Sequence, residues 1–113
     1  MANTPDRKEQ PGGRVPTSST RSVDPSEVWA RLQAGEARLL DLRTEVERRR
    51  YGAPPGAIPV SFAAEMLRPA GQGMVYLCQH AVRSKLTLRA GAAEVAGGFV
   101  AWQRAGLPVE KAR

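Results

Sequence analysis

Residues 73–84 read GMVYLCQHAVRS, and this stretch decides the fold. The apolar run from Met74 to Leu77 predicts a buried strand, and Cys78, the only cysteine of the chain, follows it directly. Ser84 can begin a helix, so the N–H groups of the intervening loop and the start of that helix would face the sulfur. Such surroundings favour a thiolate and stabilise an anion bound to it. Cys78 is therefore a candidate nucleophile.

Signals for the start of a helix recur between short apolar stretches in the rest of the chain. Asp24 to Glu27 and Thr44 to Glu47 both have the pattern of a capping box, and Ser61 can cap a third helix. The predicted helices cover residues 25–34, 45–51, 62–68, 84–90 and 98–105, and the predicted strands cover 37–42, 57–60, 74–77 and 92–96. This alternation predicts an α/β fold whose mostly parallel central sheet is covered by helices on both faces. Ligands of such sheets bind beyond the carboxyl ends of the strands, where Cys78 is expected.

Several segments, in the same order, resemble the signatures of the rhodanese-like (thiosulfate sulfurtransferase) family. The active loop of that family has the form C-x-x-G-x-R-S, which residues 78–84 resemble. The other matching segments are Asp41-Leu42-Arg43 with Glu47 (D-V-R-x-x-x-E), residues 52–57 (G-H-I-P-G-A), 97–102 (G-G-x-x-A-W) and 106–109 (G-L-P-V). Together they indicate a compact single-domain member, which implies a small three-layer sandwich.

The resemblance implies a sulfurtransferase that moves sulfane sulfur from a donor to a thiophilic acceptor through a persulfide on Cys78. The implied partners are a small sulfur-donor anion, such as thiosulfate or a persulfide, and a thiol or other sulfur acceptor. No cofactor is implied, and one His with one Cys makes a zinc site implausible. Asp41 and Arg43 are implied to support the loops near the cysteine. The implied substrate-binding residues are Gln79, His80, Ala81, Val82, Arg83, Ser84 and Lys85.

Loop length separates two chemistries that the fold supports. Six residues run from Cys78 to Arg83, which is similar to sulfurtransferase rhodaneses. Dual-specificity phosphatases of the same fold carry one residue more, so phosphatase or arsenate-reductase activity is disfavoured. With no second cysteine in the chain, a persulfide must be discharged to another molecule.

Two departures from the family pattern keep a second hypothesis open. Ala81 stands where the family commonly has Gly, and a positive φ there would strain an alanine. Only twelve residues separate Ser84 from Gly97, so the helix after the loop is expected to be short. Both features favour a catalytically weak rhodanese-fold module that binds a partner or relays sulfur.

Composition bounds the other classes of function. The chain has 113 residues and supports one small domain, predicted over 22–113, preceded by a disordered tail over 1–21 that is rich in Pro, Gly, Ser and Thr. The absence of an apolar signal or spanning run and the single cysteine predict a soluble, cytoplasmic protein without a membrane partner. The net charge is +6, and its densest run, Arg48 to Arg50, is interpreted as a solvated helix face. Nucleic-acid binding is disfavoured, since no recognition motif accompanies the charge.

Overall fold

The computed structural model describes residues 21–111. The predicted tail, residues 1–21, lies outside the described residues except for Arg21, whose guanidinium donates a hydrogen bond to the carbonyl of Leu88 at 2.7 Å. The elements in chain order are β1 Ser22–Val23, α1 Pro25–Gln33, β2 Arg38–Asp41, α2 Glu45–Tyr51, β3 Ile58–Pro59, α3 Phe62–Leu67, β4 Met74–Leu77, a 3₁₀ helix Ser84–Ala90, β5 Ala93–Val95 and α4 Gly98–Arg104.

A five-stranded sheet in the order β1-β5-β4-β2-β3 forms the centre of the fold. Every pair of neighbouring strands in it is parallel. β4 lies in the middle, and its four residues pair with β2 from Arg38–Met74 to Asp41–Leu77. The carboxyl ends of β2 and β4 are therefore adjacent, which places Leu42 and Arg43 beside Cys78.

The two faces of the sheet carry separate apolar clusters because side chains alternate along a strand. One face, including Leu39, Val75, Leu77 and Val95, packs against α1 and α4 through Val28, Phe99 and Trp102. The opposite face, including Leu40, Leu42, Tyr76 and Cys78, packs against Phe62 of α3 and Leu88 of the 3₁₀ helix. The predicted α/β sandwich with helices on both faces is confirmed.

Local sequence signals explain where the helices begin. Thr44 and Glu47 form the predicted capping box, and the Ser61 hydroxyl accepts a hydrogen bond from the amide of Ala64. Asp24 caps α1 by accepting from the amide of Ser26, but the capping box predicted there is not completed, because Glu27 pairs with Arg31 one turn later. Phe99 and Trp102 face inward and are fully buried, as predicted. Trp29 is half-buried and meets Trp102 edge to face at 5.9 Å between ring centroids.

The structure departs from the predicted elements at two places. Ser22–Val23 form an edge strand that was not predicted, since two residues are too few for a periodic signal. The predicted α-helical turns over 84–90 are a 3₁₀ helix that ends at Gly91, where φ is 105°. A 3₁₀ helix rises about 2.0 Å per residue, against about 1.5 Å in an α-helix, so it spans more distance within the short segment before β5.

Within residues 21–111, the structure contains no helix that is both long and apolar enough to cross a membrane.

Candidate active site

Cys78 lies directly beyond the carboxyl end of β4, and its side chain is buried. The loop that follows returns to the sulfur at Ser84, whose amide donates a hydrogen bond to Sγ at 3.5 Å. The hydroxyl oxygen of Ser84 also lies 3.5 Å from Sγ, on the same side. The six-residue loop from Cys78 to Arg83 therefore closes on the candidate nucleophile itself.

The start of α4 holds the carbonyl groups of this loop. The amide of Phe99 donates to the carbonyl of Cys78 at 2.9 Å, and the amide of Val100 donates to that of Gln79 at 3.2 Å. A trans peptide is planar, so the N–H of the next residue points away from each of these carbonyls. The N–H groups of Gln79 and His80 consequently point away from α4.

Gly98 permits this close approach. A Cβ built at Gly98 would lie 2.6 Å from the carbonyl oxygen of Cys78 and 2.7 Å from the amide nitrogen of Ala81. The φ of Gly98 is +69°, which an L side chain rarely adopts. The sequence alone marks the Gly-Gly pair at 97–98 as a family signature and does not reveal this physical role.

Asp41 and Arg43 form a buried, bidentate ion pair beside the loop. Arg43 Nε donates to Asp41 Oδ1 at 3.0 Å and Nη2 donates to Oδ2 at 2.9 Å. The same guanidinium donates to Oε1 of Gln79 at 3.2 Å and to the carbonyl of Gly52, and it stacks over the Phe99 ring. Five N–H donors in a fixed plane suit this combination of partners. The pair thus links the ends of β2, α2 and β4.

Arg83, the arginine of the loop, pairs with Glu47 of α2. Arg83 Nη2 donates to Glu47 Oε2 at 2.8 Å, and both side chains are about one quarter exposed. Burial alone would raise the pKa of Glu47, but hydrogen bonds from Arg83 and Thr44 outweigh it, and the pKa is lowered from 4.5. The same hydrogen bond raises the pKa of Arg83. Any ligand that binds beside Arg83 therefore contacts a guanidinium that is already paired with Glu47.

A cavity of about 270 Å³ lies over the sulfur between the loop and α2. Cys78, Gln79, His80, Val82 and Arg83 line it from the loop, and Val46, Glu47, Arg50 and Tyr51 line it from α2. His80 is exposed, and Val82 and Val46 are each about 70% exposed at the rim. The opening therefore combines cationic groups with an apolar edge. The role of α2 in this cavity was not recognised from the sequence.

The predicted site residues do not all reach this cavity. Ala81 is buried, with a φ of 60°. The ammonium of Lys85 lies 2.5 Å from Oε2 of Glu94, and Lys85 is not one of the side chains that line the cavity. The hydroxyl of Ser84 donates to Oε1 of the same carboxylate at 2.5 Å. Glu94 is a buried acid in an otherwise apolar strand, and that pattern could have marked it in the sequence.

The cationic run on α2 has mixed surroundings. Arg49 forms an exposed ion pair with Glu45, as expected for a solvated helix face. Arg48 instead turns inward, and its guanidinium donates to the carbonyl of Arg43. In the part of the chain from 21 to 111, no group of three or more His, Cys, Asp or Glu side chains could hold a metal ion.

Comparison with known proteins decides the family. The family model of the rhodanese-like domain matches residues 24–105, which include strands β2 to β5, the cysteine loop and α4. The chain belongs to the rhodanese-like domain family. A thiosulfate sulfurtransferase, GlpE, from Actinobacillus succinogenes is 31% identical over 102 residues, covering 80% of this chain and 90% of that protein.

Solved structures share the fold of this rhodanese-like domain at lower identity. A rhodanese-related protein from Thermoplasma volcanium has a TM-score of 0.68 at 19% identity, covering 80% of this chain and 97% of that one. Thiosulfate sulfurtransferase from Pseudomonas aeruginosa has a TM-score of 0.67 at 22% identity, covering 80% of this chain and 19% of that one. The family match and the GlpE relative together show that this rhodanese-like domain belongs to a family that includes sulfurtransferases.

Proposed function

We propose that this protein is a sulfurtransferase that carries sulfane sulfur as a persulfide on Cys78, taking it from a small anionic donor such as thiosulfate. One observation supports the proposal above the others. Cys78 lines a cavity, and the carbonyl groups of its loop accept hydrogen bonds from the start of α4. The N–H groups of Gln79 and His80 therefore point away from α4 and are not used by it. N–H groups and nearby cations are what an anionic sulfur species needs at such a site.

The first half-reaction loads the cysteine. The thiolate of Cys78 attacks the outer sulfur of thiosulfate, so that a bond forms between Sγ and this sulfur. The bond between the two sulfur atoms of thiosulfate breaks, and sulfite leaves with its electron pair. Arg50 and the Arg83–Glu47 pair line the cavity, and their guanidinium groups would attract the donor anion.

The second half-reaction removes the sulfur from Cys78. A thiolate or another thiophilic nucleophile attacks the outer sulfur of the persulfide and takes it, and the Cys78 thiolate leaves. Electrons balance without an added oxidant or reductant, because sulfane sulfur moves at one oxidation level. The acceptor must reach the cavity from solution, past the rim formed by Val46, Tyr51 and Val82.

A second candidate function is a catalytically weak rhodanese-fold module that binds a partner or relays sulfur. The positive φ of Ala81 favours it, since an alanine is strained there and the loop contains no glycine to relieve the strain. The short 3₁₀ helix after the loop favours it as well, because it replaces the longer helix that would face the sulfur with its amino terminus.

Steady-state kinetics with thiosulfate and cyanide separate the two candidates. Double displacement through a persulfide predicts parallel lines in reciprocal plots of thiocyanate formation, because sulfite leaves before the acceptor enters. Cys78→Ser should abolish turnover and leave the circular dichroism spectrum unchanged. Intersecting lines, or full turnover by the Cys78→Ser protein, would rule out the proposed mechanism. One round of loading without steady turnover would favour the relay module.

A further inference from the structure

Glu94 is a buried acid for which the proposed sulfur transfer has no role. It lies in β5, between Ala93 and Val95, and it is 1% exposed. It pairs in register with Tyr76 of β4, two residues before Cys78. A charged side chain is buried at such a position only when other groups bind it. The groups that bind Glu94 connect it to the sulfur.

Ser84 makes this connection, and its hydrogen bonds have a definite direction. A serine hydroxyl has one hydrogen to donate, while its oxygen can accept others. That hydrogen goes to Oε1 of Glu94 at 2.5 Å. The oxygen of Ser84 then faces Cys78 as an acceptor, with the thiol donating to it over 3.5 Å. In this arrangement the hydroxyl of Ser84 stabilises S–H and cannot donate to a thiolate, so the backbone amide is the group of Ser84 that donates to the sulfur.

Lys85 completes the cluster. Its ammonium lies 2.5 Å from Oε2, the other oxygen of Glu94, and its side chain is 60% exposed. The cation thus reaches the buried carboxylate from solvent. Lys85 offsets a negative charge that would otherwise lie one hydroxyl group away from Cys78.

We propose that Glu94 is a positioning residue that acts through Ser84 to hold the resting Cys78 as a neutral thiol, and that Lys85 limits this effect. The thiolate is the nucleophile and also the form open to alkylation and oxidation, so Glu94 restrains the reactivity of the unloaded cysteine. The inference deepens the proposed function, because it concerns the step before the attack on the donor. It can be tested without any sulfur transfer.

Other charged or titratable groups also face the cysteine, and they are the same in every variant below except where one is named. From the loop they are His80 and Arg83, from α2 they are Glu47 and Arg50, and from the end of β2 they are Asp41 and Arg43, which reaches the loop at Gln79. A difference between two variants therefore reports on the Ser84, Lys85 and Glu94 cluster.

Glu94→Gln tests the proposal with little change in shape. Lys85 can bind only an acceptor, so the amide oxygen of the glutamine would face Lys85 and its NH₂ group would face Ser84. The hydroxyl of Ser84 would then accept from this NH₂ group and donate its own hydrogen to Cys78. We expect the pH midpoint for alkylation of the full chain by iodoacetamide to fall by about one unit.

The double variant separates the hydrogen-bond path from charge alone. With Ser84→Ala as the background, Glu94→Gln should lower the midpoint by less than half of its effect in the parent chain. An equal shift in both backgrounds would show that Ser84 does not carry the effect and would overturn the proposal. An unchanged or raised midpoint in the Glu94→Gln protein would overturn it as well.

Lys85→Gln supplies a second measurement from the solvent side. This substitution leaves the charge of Glu94 without its cation, so the pH midpoint for alkylation of Cys78 should rise. No change or a fall in that midpoint would contradict the inference. All of these readings come from reaction with iodoacetamide. Failure of the chain to form a persulfide would count against the proposed function and leave the alkylation results intact.

Discussion

The amide of Phe99 donates a hydrogen bond of 2.9 Å to the carbonyl of Cys78. This bond joins the first turn of the last helix to the candidate nucleophile, which lies about twenty residues earlier in the chain. Since Val100 binds the next carbonyl in the same way, α4 sets the orientation of two successive peptides of the loop. Packing in the core and geometry at the sulfur are therefore coupled.

Gly98→Ala should disrupt this coupling. The new Cβ would meet backbone atoms of the loop at 2.6–2.7 Å, and φ is +69°. We expect the free energy of unfolding to fall by roughly 3 kcal/mol and alkylation of Cys78 to change. Gly106→Ala is the matched control, because its φ is +73° and no atom lies within 4 Å of the new Cβ. It should cost only about 1 kcal/mol in urea denaturation. Equal costs would show that contact with the loop is unimportant.

Ala81→Gly should relieve strain in the loop. The φ of Ala81 is 60°, a conformation that glycine adopts without steric cost. We expect a gain of about 1 kcal/mol in the free energy of unfolding, with thiosulfate turnover equal or higher. Ala64→Gly, within α3, is the control and should lose about 1 kcal/mol, because glycine destabilises a helix interior. A loss of stability in the Ala81→Gly protein would contradict the strain argument.

Glu47→Gln should have an effect that depends on pH. The pKa of Glu47 is lowered in the folded protein, so the carboxylate stabilises the fold above pH 4.5 and this contribution is lost as the pH falls below that value. We expect the variant to be less stable by roughly 1 kcal/mol at pH 7 and the difference to close in acid. Urea denaturation of both proteins across this range measures it. Glu45→Gln, in an exposed pair, is the control and should change stability by only a few tenths of a kcal/mol. A difference for Glu47→Gln that stays constant with pH would refute the assignment.

Tyr76 should ionise only in strong alkali. Burial and its hydrogen bond to Glu65 raise the pKa of the phenol to about 12. The folded state thus favours the protonated phenol, and this stabilisation is present below pH 10 and lost between pH 10 and about 12. The chain has two tyrosines, so Tyr51→Phe leaves Tyr76 as the only phenol signal. Ultraviolet titration of that variant should give a midpoint near 12; a midpoint near 10 in the folded protein would contradict the buried arrangement.

Local signals in the sequence predicted most of the sheet and helices, because caps and apolar runs act over a few residues. Thr44 with Glu47, Ser61, and the strand from Met74 to Leu77 are examples. The cysteine loop was likewise located from the sequence, as a strand end followed by Arg83 and Ser84. These features depend on residues that are close to one another in the sequence, so they can be predicted without knowing the contacts between distant segments.

The remaining features depend on contacts between distant segments. Residues 84–90 form a 3₁₀ helix, which their residue types do not distinguish from an α-helix, and the role of Gly98 appears only when α4 meets the loop. Glu94 could have been singled out as an acid in a buried strand, but its partners, Ser84 and Lys85, lie on another element. The pairing of Arg83 with Glu47 joins two segments 36 residues apart.

The mass of the intact protein after incubation with thiosulfate tests the central claim most directly. The account predicts that the reduced protein gains one sulfur atom, that cyanide removes it with release of thiocyanate, and that the Cys78→Ser protein gains none. A gain of sulfur that persists in the Cys78→Ser protein would contradict the account. So would the absence of any gain with thiosulfate and with a series of persulfide donors.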